Sequence, residues 1–271
     1  MSDFRRRNVY DDSWDTIKTL TWPLEQPPNG NNITILRLLQ FSIHPETLSY
    51  FLRQTPNVHT FELSVLEPVE METNDITAFR EALHPIRNTL RDLTIRYTVA
   101  EEEECPPPQD SVDVIDGSLG PLHDFPILTS LTVSLAVLFG RHGVHTGRYP
   151  QLVDFLAPRL QKLTITDDLW MYSDFQGCFE DMDAMQIFRR FLTGEMVEGG
   201  WTGGTQYEKA VWVPSGDVPG WKVATPDLKE FVYDIREHIQ ESHGYWSKRK
   251  YRNELRRATR GQGLECTVLH R

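Results

Sequence analysis

Two histidines three residues apart, His142 and His145, offer a metal ion a pair of imidazole nitrogens. Zinc asks for four protein ligands, or three and a water, and no acidic or cysteine side chain lies near them in this glycine-rich stretch. Surface histidines are the better reading. His238 and His243 are five apart, about 140° around a helix, and so cannot hold one ligand on one face. Glu180, Asp181 and Asp183 would suit acid–base work only in a cleft that pushed their pKa values apart. They fall where a helix begins, and acidic residues there complement the helix dipole. Cys178 beside Gly177 has no identifiable base or orienting partner, so a small buried apolar side chain is the simpler account. Glycines 199, 200, 203 and 204 are not followed by the Gly-Lys-Ser/Thr of a phosphate loop, and no GxSxG elbow occurs. No catalytic residue, cofactor or metal is expected.

Charge narrows the ligands further. Trp246 to Arg260 holds seven basic residues against Glu254, a net +6 in a chain of −11. The last eleven residues are neutral, so residues 1 to 245 carry −17. A body this acidic repels phosphate backbones, which argues against nucleic acid. The basic stretch reads first as a solvated terminal helix, then as a nuclear-import signal, then as a nucleic-acid patch. Only Tyr245, Trp246 and Tyr251 offer stacking there.

The longest apolar run, Leu131 to Phe139, is far short of the roughly 20 residues that cross a bilayer and reads as a buried strand. Arg5, Arg6 and Arg7 are not followed by an apolar segment, so no secretory signal is expected. Three scattered cysteines, Cys105, Cys178 and Cys266, fit a reduced compartment, cytoplasmic or nuclear.

One short pattern recurs: apolar, two variable residues, apolar, one variable, apolar. It gives Val58, Phe61 and Leu63; Leu90, Leu93 and Ile95; Leu128, Leu131 and Val133; Leu160, Leu163 and Ile165; and Leu228, Phe231 and Tyr233. Less regular copies are Ile17, Leu20 and Trp22, then Ile33, Leu36 and Leu38. The end of each copy alternates with period two, as a strand buried on one face must. Pro56, Pro126, Pro158 and Pro226 precede four of these strands, where proline stops what comes before and is not tolerated within.

Between strands the spacing turns helical. Pro45 to Gln54 places Leu48, Phe51 and Leu52 on one face. Asn74 or Asp75 caps a helix carrying Ile76, Phe79 and Leu83 before Pro85. Pro150 precedes Leu152, Phe155 and Leu156. A helix from about Asp181 to Leu192 turns Met185, Phe188 and Leu192 inward, with Gly194 as its C-terminal cap. Strand then helix at intervals of roughly 25 to 40 residues describes an α/β leucine-rich-repeat solenoid, a curved parallel sheet with helices on its outer side. A doubly wound α/β domain is the rival, although its strands run as continuous Val/Ile segments.

The segments TLSYFLRQTPNVHTFEL, LRDLTI, LTSLTV, APRLQKLTI and TPDLKEFVY resemble the irregular leucine-rich repeats of fungal F-box proteins over about residues 14 to 240. The resemblance implies a protein partner: in that family an F-box recruits a ubiquitin-ligase scaffold and the repeats hold the substrate. Residues 1 to 13 are too few and too polar for an F-box, so this chain is expected to be the substrate-recognition part alone.

The resulting map is an N-terminal tail at 1–13, the repeat domain at 14–240 and a basic C-terminal helix with terminal segment at 241–271. Two insertions interrupt it. Residues 100 to 120, with Glu101 to Glu104 and Pro106 to Pro108, should form a mobile loop. Residues 194 to 224 carry Trp201, Trp212 and Trp221, which need a surface to cover and read as a flap on the solenoid's own flank. An enzyme with a pocket under that insertion is the alternative. In the main reading the protein partner meets the outward residues of the strands, namely Glu62, Thr94, Thr132 and Thr164 with Asp92, Lys162, Glu230 and Arg96 beside them. No small-molecule ligand and no membrane contact are expected.

Overall fold

Alternation along the LxxLxL copies puts one residue in two inside, and six of the copies line up side by side with a seventh strand from the C-terminal segment. In the computed structural model, residues 30–40, 43–67, 74–99, 115–140, 150–168, 181–197, 211–216, 218–235 and 249–270 are described. The sheet consists of β1 (Ile35–Leu39), β2 (Thr60–Glu67), β4 (Asp92–Val99), β6 (Ser130–Ser134), β7 (Lys162–Thr166), β10 (Glu230–Ile235) and β11 (Glu265–His270). Every pairing is parallel and the spatial order follows the chain order. A doubly wound sheet reverses at a switch point, and these strands contain no reversal. The fold is a mixed α/β architecture on an open, seven-stranded parallel sheet.

The register matches the sequence spacing position for position. Leu36, Phe61, Leu93, Leu131, Leu163, Phe231 and Cys266 form one inward row. From Phe61 to Phe231 its members are at most 1% exposed. Ile17, Leu20 and Trp22 lie outside the described residues.

Before four of the strands, β2, β6, β7 and β10, the chain makes the same turn. Val58, Leu128, Leu160 and Leu228 donate to the carbonyls of Thr55, Phe125, Ala157 and Thr225, with Pro56, Pro126, Pro158 and Pro226 inside the turns. Proline suits them because it fixes φ and needs no donor partner there.

Helices pack behind the inward face. α1 (Pro45–Gln54) begins on Pro45 and buries Leu48 and Leu52. α2 (Ile76–Ala82) is capped by Asp75, whose carboxylate accepts from the Ala78 N–H at 2.8 Å. Pro85 then imposes a 3₁₀ turn at His84–Ile86, and Leu152–Asp154 is only a 3₁₀ turn. α4 (Asp181–Thr193) buries Met185, Phe188 and Leu192 and ends at Gly194, φ 72°.

Leu131–Phe139 is not one strand: β6 stops at Ser134, whose hydroxyl caps α3 (Leu135–Phe139) by accepting from Val137 N–H. All five α3 residues are buried, so no polar face betrays the helical period.

The insertions are partly ordered. Of the segment expected to be a mobile loop, residues 100–114 lie outside the described part, but 115–120 are packed. The two-residue strand β5 (Ile115–Asp116) pairs with β3 (Asn74–Asp75), and Ile115 and Leu119 are fully buried. In the tryptophan-rich insertion β8 (Glu195–Val197) pairs antiparallel with β9 (Trp212–Pro214), followed by α5 (Gly220–Ala224). Trp221 is buried and donates its indole N–H to Leu192 O at 3.2 Å, as a flap covering its own flank does. Trp201 is not among the described residues. In the C-terminal segment, α6 (Arg249–Ala258) is followed by β11, an edge strand that the spacing did not announce.

Candidate functional site on the outer sheet face

The alternate strand residues form three outward rows. The middle one runs Arg37, Glu62, Thr94, Thr132, Thr164, Val232 and Thr267. The row nearer the strand starts runs Ile35, Thr60, Asp92, Ser130, Lys162, Glu230 and Glu265. Glu62, Asp92, Thr94, Thr132, Lys162 and Glu230 are therefore adjacent in register, and each is partly exposed.

Thr164 departs from the open floor read from the sequence. It is 7% exposed and its neighbour Val232 is 5% exposed. The third row is closed further: Ser134, Thr166 and Asp234 are 1–2% exposed. The strand lengths change at the same end of the face. β6 ends at Ser134 and its pairing with β4 stops at Thr94–Thr132, whereas β4 runs on to Val99. Beyond that point β4 meets the strands further along. Arg96 reaches Asp234 on β10 at 3.1 Å, and Tyr97 N–H donates to Asp168 just after β7 at 3.2 Å. The Arg96 side chain thus crosses over β6 and β7, whose short outward side chains leave room beneath it. Arg96 belongs to this bridge and is less a free contact than the sequence implied.

Electrostatics on the face are balanced. Arg37 pairs with Glu62 at 3.1 Å, Lys162 with Glu230 at 2.9 Å, and the Thr60 hydroxyl donates to Asp92 at 3.1 Å. Each pair joins residues directly opposite in register, where cross-strand contacts stabilise a sheet. The face that remains open is hydroxyl-rich and nearly neutral over β2 to β6, and its β1 end carries the exposed apolar side chains of Ile35 and Leu39.

A second polar centre was missed in the sequence. Arg189 on α4 is 8% exposed and bonds Glu195 of β8 through Nε at 2.9 Å, pairs with Glu254 of α6, and lies 4.4 Å from the Trp212 ring centre. Its signal was available: Arg189 is four residues after Met185 and three before Leu192, on the inward stripe. The arrangement locks α4, the β8–β9 hairpin and α6 together, and it compensates a buried cation with two carboxylates.

The residues considered for chemistry are not brought together. His142, His145, Cys178, Glu180, His238 and His243 lie outside the described residues, and Asp181 and Asp183 stand in the first turn of α4. Among the described residues no group of three or more His, Cys, Asp or Glu side chains could hold a metal ion. Burial pushes the Cys266 thiol up to about 12, against smaller opposing effects of the Arg256 charge and a hydrogen bond with Thr259. It is a packed thiol with little nucleophilic character. No described helix is long and apolar enough to cross a membrane. Comparison with protein families, curated proteins and solved structures found no match.

Proposed function

We propose that this chain is a leucine-rich-repeat solenoid that binds another protein through the open part of its outer sheet face, and that it is the substrate-recognition part of an F-box-type ubiquitin-ligase receptor. The solenoid reading is supported by the strictly sequential order of seven parallel strands and by the same turn before four of them. Units that cannot bury their own apolar face must stack in this way, and extended faces built so serve recognition. The F-box link rests on the sequence resemblance.

The observation that carries the binding function is the in-register, hydroxyl-rich face over β1 to β6, on which Arg37 pairs with Glu62 and the Thr60 hydroxyl bonds Asp92, and which stays partly open. A nearly neutral surface presents its hydroxyls to a partner and resists indiscriminate binding of charged molecules.

Affinity purification with wild-type chain and Thr132→Arg, compared by mass spectrometry, tests this reading. A protein recovered in stoichiometric amount with wild type and lost with Thr132→Arg, while the melting temperature holds, is the expected result. Recovery of the same protein with both would exclude the sheet face. Residues 1–271 alone are expected not to retain the ligase's adaptor subunit, and stoichiometric co-purification with it would overturn that part of the proposal.

A further inference from the structure

The turns before the strands stack into a strip along the edge of the sheet, and their backbone fixes it closely. His59 and Thr60 N–H both donate to Thr34 O, Arg91 and Asp92 to His59 O, Thr129 and Ser130 to Arg91 O, Gln161 and Lys162 to Thr129 O, and Lys229 and Glu230 to Gln161 O, all at 2.7 to 3.1 Å. Side chains stitch neighbouring turns as well: Asn57 donates to Asn31 O at 2.8 Å, Thr89 to Pro56 O at 2.9 Å and Thr129 to Arg91 O at 3.1 Å. Residues 59, 91, 129, 161 and 229 are therefore equivalent positions, each one residue ahead of its strand.

Cations collect on this strip. Arg91 and Lys229 occupy the equivalent position and are exposed, and Arg87 and Arg159 are exposed in the same turns. The acidic residue described within these turns is Asp227. None of the four cations makes an ion pair with a described residue, whereas Arg37, Arg96 and Lys162 on the sheet face and Arg189 behind it are all paired. In a chain of net charge −11, the described turns thus carry four exposed cations against one carboxylate, with Asp92, Glu230 and Glu265 in the adjoining row of the sheet.

We propose that this edge docks an extended acidic peptide segment of a partner protein, with its carboxylates on Arg91, Arg159 and Lys229. Arg91 and Lys229 stand three strands apart, roughly 14 Å at the usual strand spacing, which an extended peptide spans in four to five residues. Arginine forks bind carboxylates in pairs of hydrogen bonds, and the stitched backbone holds their bases without further ordering. A nucleic acid would carry its charge past the strip and onto the acidic body, which disfavours it. The strip is distinct from the sheet face, and this inference does not depend on what that face binds.

The test is fluorescence anisotropy of labelled deca-glutamate with the full chain, with deca-uridylate as a second probe. Arg91→Glu/Arg159→Glu/Lys229→Glu should weaken deca-glutamate binding by at least roughly tenfold, and the corresponding triple Gln variant by a smaller factor. Thr132→Arg on the face and Arg249→Glu/Arg257→Glu on α6 should leave it unchanged. Circular dichroism verifies that each variant is folded, and if the triple Glu variant is not, the triple Gln variant decides. Absence of deca-glutamate binding by wild type, binding that survives in the folded edge variants, loss in the α6 variant instead, or tighter binding of deca-uridylate would each overturn the proposal.

Discussion

Thr132 and Thr164 are neighbours in one row of the sheet, yet the structure gives them different roles. Thr132 is partly open, while Thr164 lies buried beside the Arg96–Asp234 bridge. Thr164→Glu should therefore cost about 3 to 5 kcal/mol, because it buries a charge without a partner. Thr132→Arg should cost under about 1 kcal/mol, as exposed substitutions do. Urea denaturation of the two variants checks this, and equal midpoints would contradict the closed end of the face. From one sequence the two threonines cannot be told apart, since both occupy the same place in the repeated spacing. On the inward side, Leu93→Ala and Leu163→Ala should each cost about 2 to 5 kcal/mol as fully packed leucines. Cys266 supplies a pH test. Its proton leaves the unfolded chain near 9.0 and the folded chain near 12. Above about pH 9 the unfolded state sheds a proton that the folded state keeps, so stability falls as pH rises. Cys266→Ala should remove that part of the fall between pH 8 and 10.5, measured as the urea midpoint.

At the scale of elements, legibility followed the strength of the period. α1 was readable end to end because Pro45 marks its first turn and Leu48 and Leu52 face one way. α2 was readable because Asp75 supplies the cap that its type and place announce. α3 was not, since Leu135 to Phe139 is apolar throughout and a wholly buried run carries neither period. Ser134 was the one available sign. β11 escaped because Gly263 and Cys266 stand where the other copies carry a large apolar residue. The locking of α6 onto the fold was equally hidden, because it depends on Glu254 finding Arg189 across 65 residues. Arg189→Ala should raise amide hydrogen exchange throughout α6 and the β8–β9 hairpin while β2 and β4 stay protected. Uniform change across the sheet would show that the arginine supports the whole fold.

At the scale of the molecule, strand order in the sheet repeats strand order in the chain, so neighbouring elements in sequence are neighbours in space. That arrangement was foreseeable from recurrence of one apolar spacing. How much of the outer face stays open was not, since Arg96 and Asp234 are 138 residues apart. The result is a face with two parts: a closed end beneath the Arg96–Asp234 bridge, and an open, hydroxyl-rich end over β1 to β6. Recognition of another protein by that open end is the central claim. Its most direct test is photo-crosslinking in cells with p-benzoylphenylalanine placed at Thr132, and at Arg53 on the exposed side of α1 for comparison. A discrete crosslinked protein from position 132 and none from position 53 is the predicted result. No crosslink from 132, or the same species from both positions, would contradict it.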